Sequence, residues 1–226
     1  WLEWGTNRSP GMLTRPTFEE LYQVPEKIVA ADVSGAEIRA AYDDEKVFHS
    51  HTLISFVPWH SLRGVRNNSL KKSARYRNED LRPDLPKREE LEANSRRYEV
   101  KFILAIMNSA VAREYLRFHR RSNIHLYPDD WKQLPIPDVS KEKQEPIVRL
   151  VDRILTAKRK NLQADVADME AEIDKRVYEL YGMKAPDPAE TKAESVPVVS
   201  QERTKKPKAP RIAKTKSILV DDEGLD

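Results

Sequence analysis

Apolar side chains recur at helical spacing most densely between Tyr98 and Asp138 (YEVKFILAIMNSAVAREYLRFHRRSNIHLYPDDWKQLPIPD). Phe102, Leu104, Ile106 and Met107 precede Asn108-Ser109, and Val111, Tyr115, Leu116 and Phe118 follow it. A stripe through Ile103, Met107, Val111 (or Ala110) and Leu116 has roughly the period of about 3.6 residues of an amphipathic helix, which the pattern predicts over 99–118. Arg113, Arg117, Arg120 and Arg121 make its last turn basic, where cations complement the carbonyl end of the helix. Leu134-Pro135-Ile136-Pro137 cannot prolong a helix, because two prolines remove donors and fix φ.

Upstream, the pattern changes to that of strands. Glu26–Asp32 is rich in apolar and β-branched residues, and Glu37–Tyr42 follows a Ser34-Gly35 turn. Lys46–Val57 follows the acidic turn Asp43-Asp44-Glu45. Its alternation sets Val47, His49, His51, Leu53, Ser55 and Val57 on one face and Phe48, Ser50, Thr52, Ile54 and Phe56 on the other. The three runs predict a small antiparallel meander. Residues 1–24 are aromatic and turn-rich, and His60–Arg77 reads as a loop around Gly64 and Asn67-Asn68-Ser69. A short helix is expected over Lys87–Arg97.

Downstream, Ile147, Val151 and Ile154/Leu155 mark a helix over Lys141–Asn161, and Leu162, Val166, Met169, Ile173, Val177 and Leu180 repeat the pattern. One long helix satisfies both runs. A hairpin or sharp kink near Asn161–Asp165, with Asp165 as N-cap, is preferred, so that the two apolar seams bury each other. Gly182 suits the position just past the helix end. From Lys184 on there is almost nothing to bury, which predicts disorder. The fold class is α+β: a small antiparallel β-rich lobe, a central helix, a C-terminal helical hairpin and a disordered tail.

Composition adds less. In 226 residues, 34% are charged but the net charge is only +3, so the location of charge matters more than its sum. Cysteine is absent, which excludes disulfides and thiolate metal sites and fits a reducing cytoplasm. No apolar run approaches the about eighteen residues that span a bilayer, so no membrane partner is expected. The first residue is Trp rather than Met, and the sequence contains no signal-peptide pattern; the chain is expected to be the C-terminal part of something longer.

The loop His60–Arg77 holds six Lys/Arg and no acid. Arg63, Arg66, Lys71, Lys72, Arg75 and Arg77 can neutralise phosphates, Asn67 and Asn68 can donate hydrogen bonds, and Tyr76 can stack. A solvated surface loop has the same composition. Arg117, Arg120 and Arg121, with His119 and His125 nearby, offer a second phosphate-facing edge, or plain complementation of the helix dipole. These twelve residues (Arg63, Arg66, Asn67, Asn68, Lys71, Lys72, Arg75, Tyr76, Arg77, Arg117, Arg120, Arg121) are the candidate DNA contacts. His49 and His51 share a strand face but lack a third metal ligand, so they read as hydrogen-bonded or exposed histidines, and no metal site is assigned. Asp84, Glu99 and Lys101 mimic a magnesium nuclease pattern, though Glu99 and Lys101 open a helix where that chemistry uses adjoining strands. No catalytic residue is assigned. The tail segment Arg203–Lys216 carries seven positive charges and no negative one, as a solubilising or nonspecifically binding tail would.

FILAIMNSAVAREYLRF, WKQLPIP, QEPIVRLVDRILTAKRKN and MEAEIDKRVYELYGM follow one another in an order that resembles the C-terminal end of type IIG restriction–modification proteins. Those are adenine-specific DNA methyltransferases, often fused to an endonuclease, that end in a TaqI-like specificity domain. The resemblance rests on Leu104 to Asn108-Ser109, on Leu134–Pro137, and on Glu172-Ile173-Asp174, Val177-Tyr178 and Leu180-Tyr181-Gly182. The N-terminal Pro25–Ile28, Ala41–Asp43 and Phe48–Pro58 extend it over roughly residues 15–183. Met107 stands where the family usually has Leu. The family's Asn/Asp-Pro-Pro-Tyr motif and its glycine-bearing cofactor motif are absent.

The resemblance implies a target-recognition lobe over 1–138, a bracing helical hairpin over 139–183 and a disordered tail over 184–226. It implies double-stranded DNA and an upstream methyltransferase or nuclease domain as partners. No cofactor is expected in this chain. S-adenosylmethionine is implied for the parent enzyme, with Mg where that parent carries a nuclease. Two other readings stay open: a nuclease using Asp84, Glu99 and Lys101, and a protein-interaction module formed by Glu142–Gly182.

Overall fold

The run KIVAA forms the central strand, β1 (Lys27–Ala31), of a three-stranded antiparallel sheet. The computed structural model describes residues 19–32, 38–49, 52–65 and 86–186. Strand β2 (Ala40–Asp43) pairs with one edge of β1, aligning Lys27 with Asp43 and Ala30 with Ala40. Strand β3 (Leu53–Phe56) pairs with the other edge, aligning Ile28 with Phe56 and Ala31 with Leu53. The order is therefore β2-β1-β3, which corrects the expected meander: a meander would place β2 in the middle. The third strand is also shorter than the alternation over Lys46–Val57 suggested. Val47, Phe48 and His49 precede it outside any strand, with Phe48 stacked on Tyr22 at 4.6 Å.

Among the described residues six helices follow: α1 (Arg88–Ser95), α2 (Val100–Asn108), α3 (Ala110–His119), α4 (Pro128–Lys132), α5 (Lys141–Lys160) and α6 (Ala167–Leu180). The class is α+β. The single helix expected over 99–118 is two helices broken at Ser109, which is extended (φ −68°, ψ 158°). Its hydroxyl donates to the Ile106 carbonyl at 2.7 Å and accepts from the Ala112 N–H at 3.2 Å, so one serine closes α2 and caps α3.

Helix α2 is apolar almost all round because it is covered on several sides, by β1, β2, α3 and α5. Phe102, Leu104, Ala105, Ile106 and Met107 are all buried, with Ile28 and Ala30 of the sheet in the same core. Helix α5 packs more extensively on α2 than on α6, through Ile147, Leu150 and Val151. The two C-terminal seams thus do not chiefly bury each other, as the heptad-like spacing suggested. Helix α6 packs Ile173 and Val177 into the core and contacts both α3 and α5.

Buried polar groups join these layers. Gln144, at the start of α5, accepts from the Glu99 N–H (2.9 Å) and donates to the carbonyls of Arg97 (2.8 Å) and Val139 (3.0 Å). One amide fills the gap between the beginnings of α2 and α5 with nothing left unpaired. On the sheet, the fully buried Lys27 pairs with Asp43 at 2.5 Å. Burial pushes the Asp43 carboxyl up, but Lys27 and the N–H groups of Glu45 and Val47 outweigh it, and the net shift is below the ordinary carboxylate value.

At the other end, the Ala167 N–H donates to Asp165 Oδ1 (3.0 Å), while Val166 rather than Asp165 takes the N-cap position of α6. Past α6, Gly182 adopts φ +67° and Met183 N–H reaches back to the Tyr178 carbonyl at 2.9 Å, a Schellman closure. The compact unit that holds all of this ends at Ala185; the second unit, from Pro186 on, lies outside the described residues except for Pro186. Among the described residues, no helix is long and apolar enough to cross a membrane.

Candidate nucleic-acid interface

The basic loop begins on a well-held root. Trp59–Leu62 forms one 3-10 turn rather than open loop and packs on α1. The His60 N–H and Nδ1 both meet Ser95 Oγ, at 3.0 and 2.9 Å. Arg88 lies over the Trp59 ring (5.4 Å), donates to the Leu62 carbonyl (2.6 Å) and pairs with Glu92 (3.0 Å). Arg63 then leaves this root with a side chain 75% exposed, 3.9 Å from Glu92. Arg66, Asn67, Asn68, Lys71, Lys72, Arg75, Tyr76 and Arg77 lie outside the described residues.

The second candidate edge is the C-terminal end of α3 and the segment after it. Leu116 is buried and anchors this end, and the Arg120 N–H closes the helix on the Leu116 carbonyl at 2.9 Å. Arg117, 3.4 Å from Glu114, lies over the Phe118 ring at 4.7 Å. Arg121 lies over the Tyr127 ring at 5.1 Å and donates to the buried Asp130 at 3.1 Å. Asp130 in turn accepts from the Tyr127 N–H at 2.8 Å, so one carboxylate fixes both the start of α4 and the arginine above it. His119 stacks on Tyr115 at 4.1 Å and His125 on Tyr127 at 5.8 Å. Arg117, Arg120 and Arg121 are thus close together along the chain, whereas Arg63 belongs to the α1 side, where its charged neighbour is Glu92.

The remaining candidates take ordinary partners. Glu99 pairs with Lys141 (2.7 Å), while Lys101 pairs with Asp152 (2.6 Å) and sits over the Tyr42 ring (5.2 Å). The carboxylate that would hold magnesium and the lysine that would assist the attacking water are each directed instead at α5. Asp84 lies outside the described residues. His49 Nε2 is 2.6 Å from Ser55 Oγ, and His51 lies outside the described residues. No group of three or more His, Asp or Glu side chains is arranged to hold a metal ion among the described residues. A cavity of about 1190 Å³ between β2, α5 and the start of α6 is lined by none of the twelve candidate residues.

The motifs that carry the resemblance build scaffold. Asn108 and Ser109 join α2 to the sheet and to α3, and Asp174 accepts from the Ala110 N–H at 2.7 Å at the start of α3. Tyr181 donates to the Pro135 carbonyl, tying the LPIP exit to α6, and burial pushes its phenol up to about 12. No family model matches the chain, and no curated protein or solved structure matches it.

The sequence reading missed the aromatic side of the second edge. Phe118 was counted with the apolar pattern, yet it is 69% exposed, and Ile124 is 59% exposed. The signal was available: two residues after the inward Leu116 is a rotation of about 200° on a helix, which turns Phe118 away from the core.

Proposed function

We propose that this chain is a DNA sequence-recognition domain, the C-terminal specificity portion of a type IIG-like adenine-specific methyltransferase or restriction enzyme. The observation that carries the reading is the exposed arginine surface at the end of α3, where Arg117 and Arg121 are each more than half exposed. The acid-free composition of His60–Arg77 and the ordered motifs from Leu104 to Gly182 support it. In this reading Arg and Lys neutralise phosphates, and Arg, Asn and Tyr side chains read base edges. The α1 side positions Arg63, and the end of α3 with Asp130 positions Arg117 and Arg121. Flipping and methylation of adenine, with S-adenosylmethionine, belong to a domain upstream of Trp1, and the assembly works in the cytoplasm.

The test is fluorescence anisotropy of the chain with labelled duplex DNA across a salt series. Affinity is expected to fall steeply with salt, and the slope to become shallower when Arg63, Arg66, Lys71 and Lys72 are replaced by Ala. Failure to bind any duplex at low salt overturns the reading; an unchanged slope removes that loop from the interface.

A further inference from the structure

Between Tyr115 and Tyr127, aromatic rings and cationic or imidazole groups alternate in contact: His119 on Tyr115, Arg117 over Phe118, Arg121 and His125 on Tyr127. Phe118 stands out because it contributes nothing to the core and is the most exposed ring of the set. One face of that ring is engaged by a guanidinium whose own position is set by Glu114. The neighbouring acids Asp129 and Asp130 are both within ion-pair distance of Arg121, so the local charge is arranged around the rings rather than scattered. An apolar protein surface docking here would strip water from Arg117 and Arg121 without replacing it, at a cost that exposed phenylalanine does not offset. A nucleic acid supplies both partners at once, a planar base for the ring and phosphates for the guanidinium groups.

We infer that Phe118, with Arg117 over its ring and Arg121 three residues further along the chain, is a stacking surface for an unstacked nucleobase of bound DNA. This rests on the DNA-recognition reading and adds to it a contact that is neither phosphate neutralisation nor readout of a base edge. The bases of an intact duplex present no free face except at its ends, so the surface selects DNA with a base displaced from the stack.

The probe is a labelled duplex carrying a single-nucleotide bulge, compared with the same duplex fully paired. The wild-type chain is expected to prefer the bulged duplex by about ten-fold. Phe118→Trp should keep that preference, and both Phe118→Ala and Phe118→Leu should abolish it, with the salt slope unchanged because no counterion is released by stacking. Leucine keeps apolar area but has no π face, so a preference retained in Phe118→Leu overturns the inference, as does equal binding of the two duplexes by wild type. In either case binding of the paired duplex leaves the DNA-recognition reading standing. Binding of neither duplex overturns both. Circular dichroism of the variants guards against misfolding, which the exposure of Phe118 makes a small risk.

Discussion

The carboxamide of Asn108 pairs with both backbone polar groups of Ala40: its Oδ1 accepts from the Ala40 N–H at 2.8 Å, and its Nδ2 donates to the Ala40 carbonyl at 2.9 Å. A side chain at the end of α2 thereby does for the outer edge of β2 what another strand would do. It satisfies that edge at Ala40 and denies this position to a second chain. Asn108→Ala removes both bonds and leaves two partly buried backbone groups unpaired. A loss of about 2–3 kcal/mol in urea unfolding is expected, with a greater tendency to associate at high concentration. Asn108→Asp keeps the acceptor but sets a carboxylate against the Ala40 carbonyl, and it should be no better than alanine.

Lys27 and Asp43 face each other across β1 and β2, with the lysine fully buried. Lys27→Met leaves Asp43 as a buried, unpaired charge and should cost about 3–5 kcal/mol. Adding Asp43→Asn should recover part of that loss, because the one asparagine oxygen can still accept from the Glu45 N–H without the charge. The sign of the pH dependence follows from the lowered Asp43 value. Its stabilisation is fully present above the unfolded carboxyl value of about 3.9 and is lost as pH falls through the lower folded value. Wild-type stability should therefore decline on the acid side of about pH 4 more steeply than that of Asp43→Asn, measured by urea midpoints from pH 2 to 6.

Gln144 makes three hydrogen bonds to backbone from a fully buried position. Gln144→Leu matches its size but strands the Glu99 N–H and two carbonyls, at an expected cost of about 2–4 kcal/mol. Gln144→Glu keeps the acceptor while placing a carboxylate against the two carbonyls. Its destabilisation should ease as pH is lowered, which thermal unfolding at pH 4 and pH 7 would show.

Gly182 has open space where a Cβ would stand, so a substitution there meets no clash with neighbouring atoms. Its φ of +67° alone sets the cost. Gly182→Ala should lose about 1 kcal/mol and Gly182→Asn less, since asparagine tolerates the left-handed region. Equal stability of all three proteins would show that the end of α6 contributes nothing to the folding unit.

The sequence was most informative where one element could be read by itself. The α5 and α6 repeats gave both helices, because a long amphipathic stripe and a terminal glycine are local signals. The break at Ser109 was legible in kind, as serine is a good N-cap, but the apolar run on both sides masked it. The order of the sheet was not legible. It depends on β3 returning to the far edge of β1, with the Asp32 N–H donating to the Thr52 carbonyl, and no local pattern encodes that choice between edges. Within the candidate site, the arginines were visible as composition, whereas Phe118 beside Arg117 was concealed by being counted with the apolar pattern.

One consequence follows from the hydrogen bond between Arg88 and the Leu62 carbonyl. It brings together the points where the chain departs toward, and comes back from, residues 66–85. One guanidinium therefore works as a clasp, holding Leu62 and Arg88, 26 residues apart in sequence, at hydrogen-bond distance.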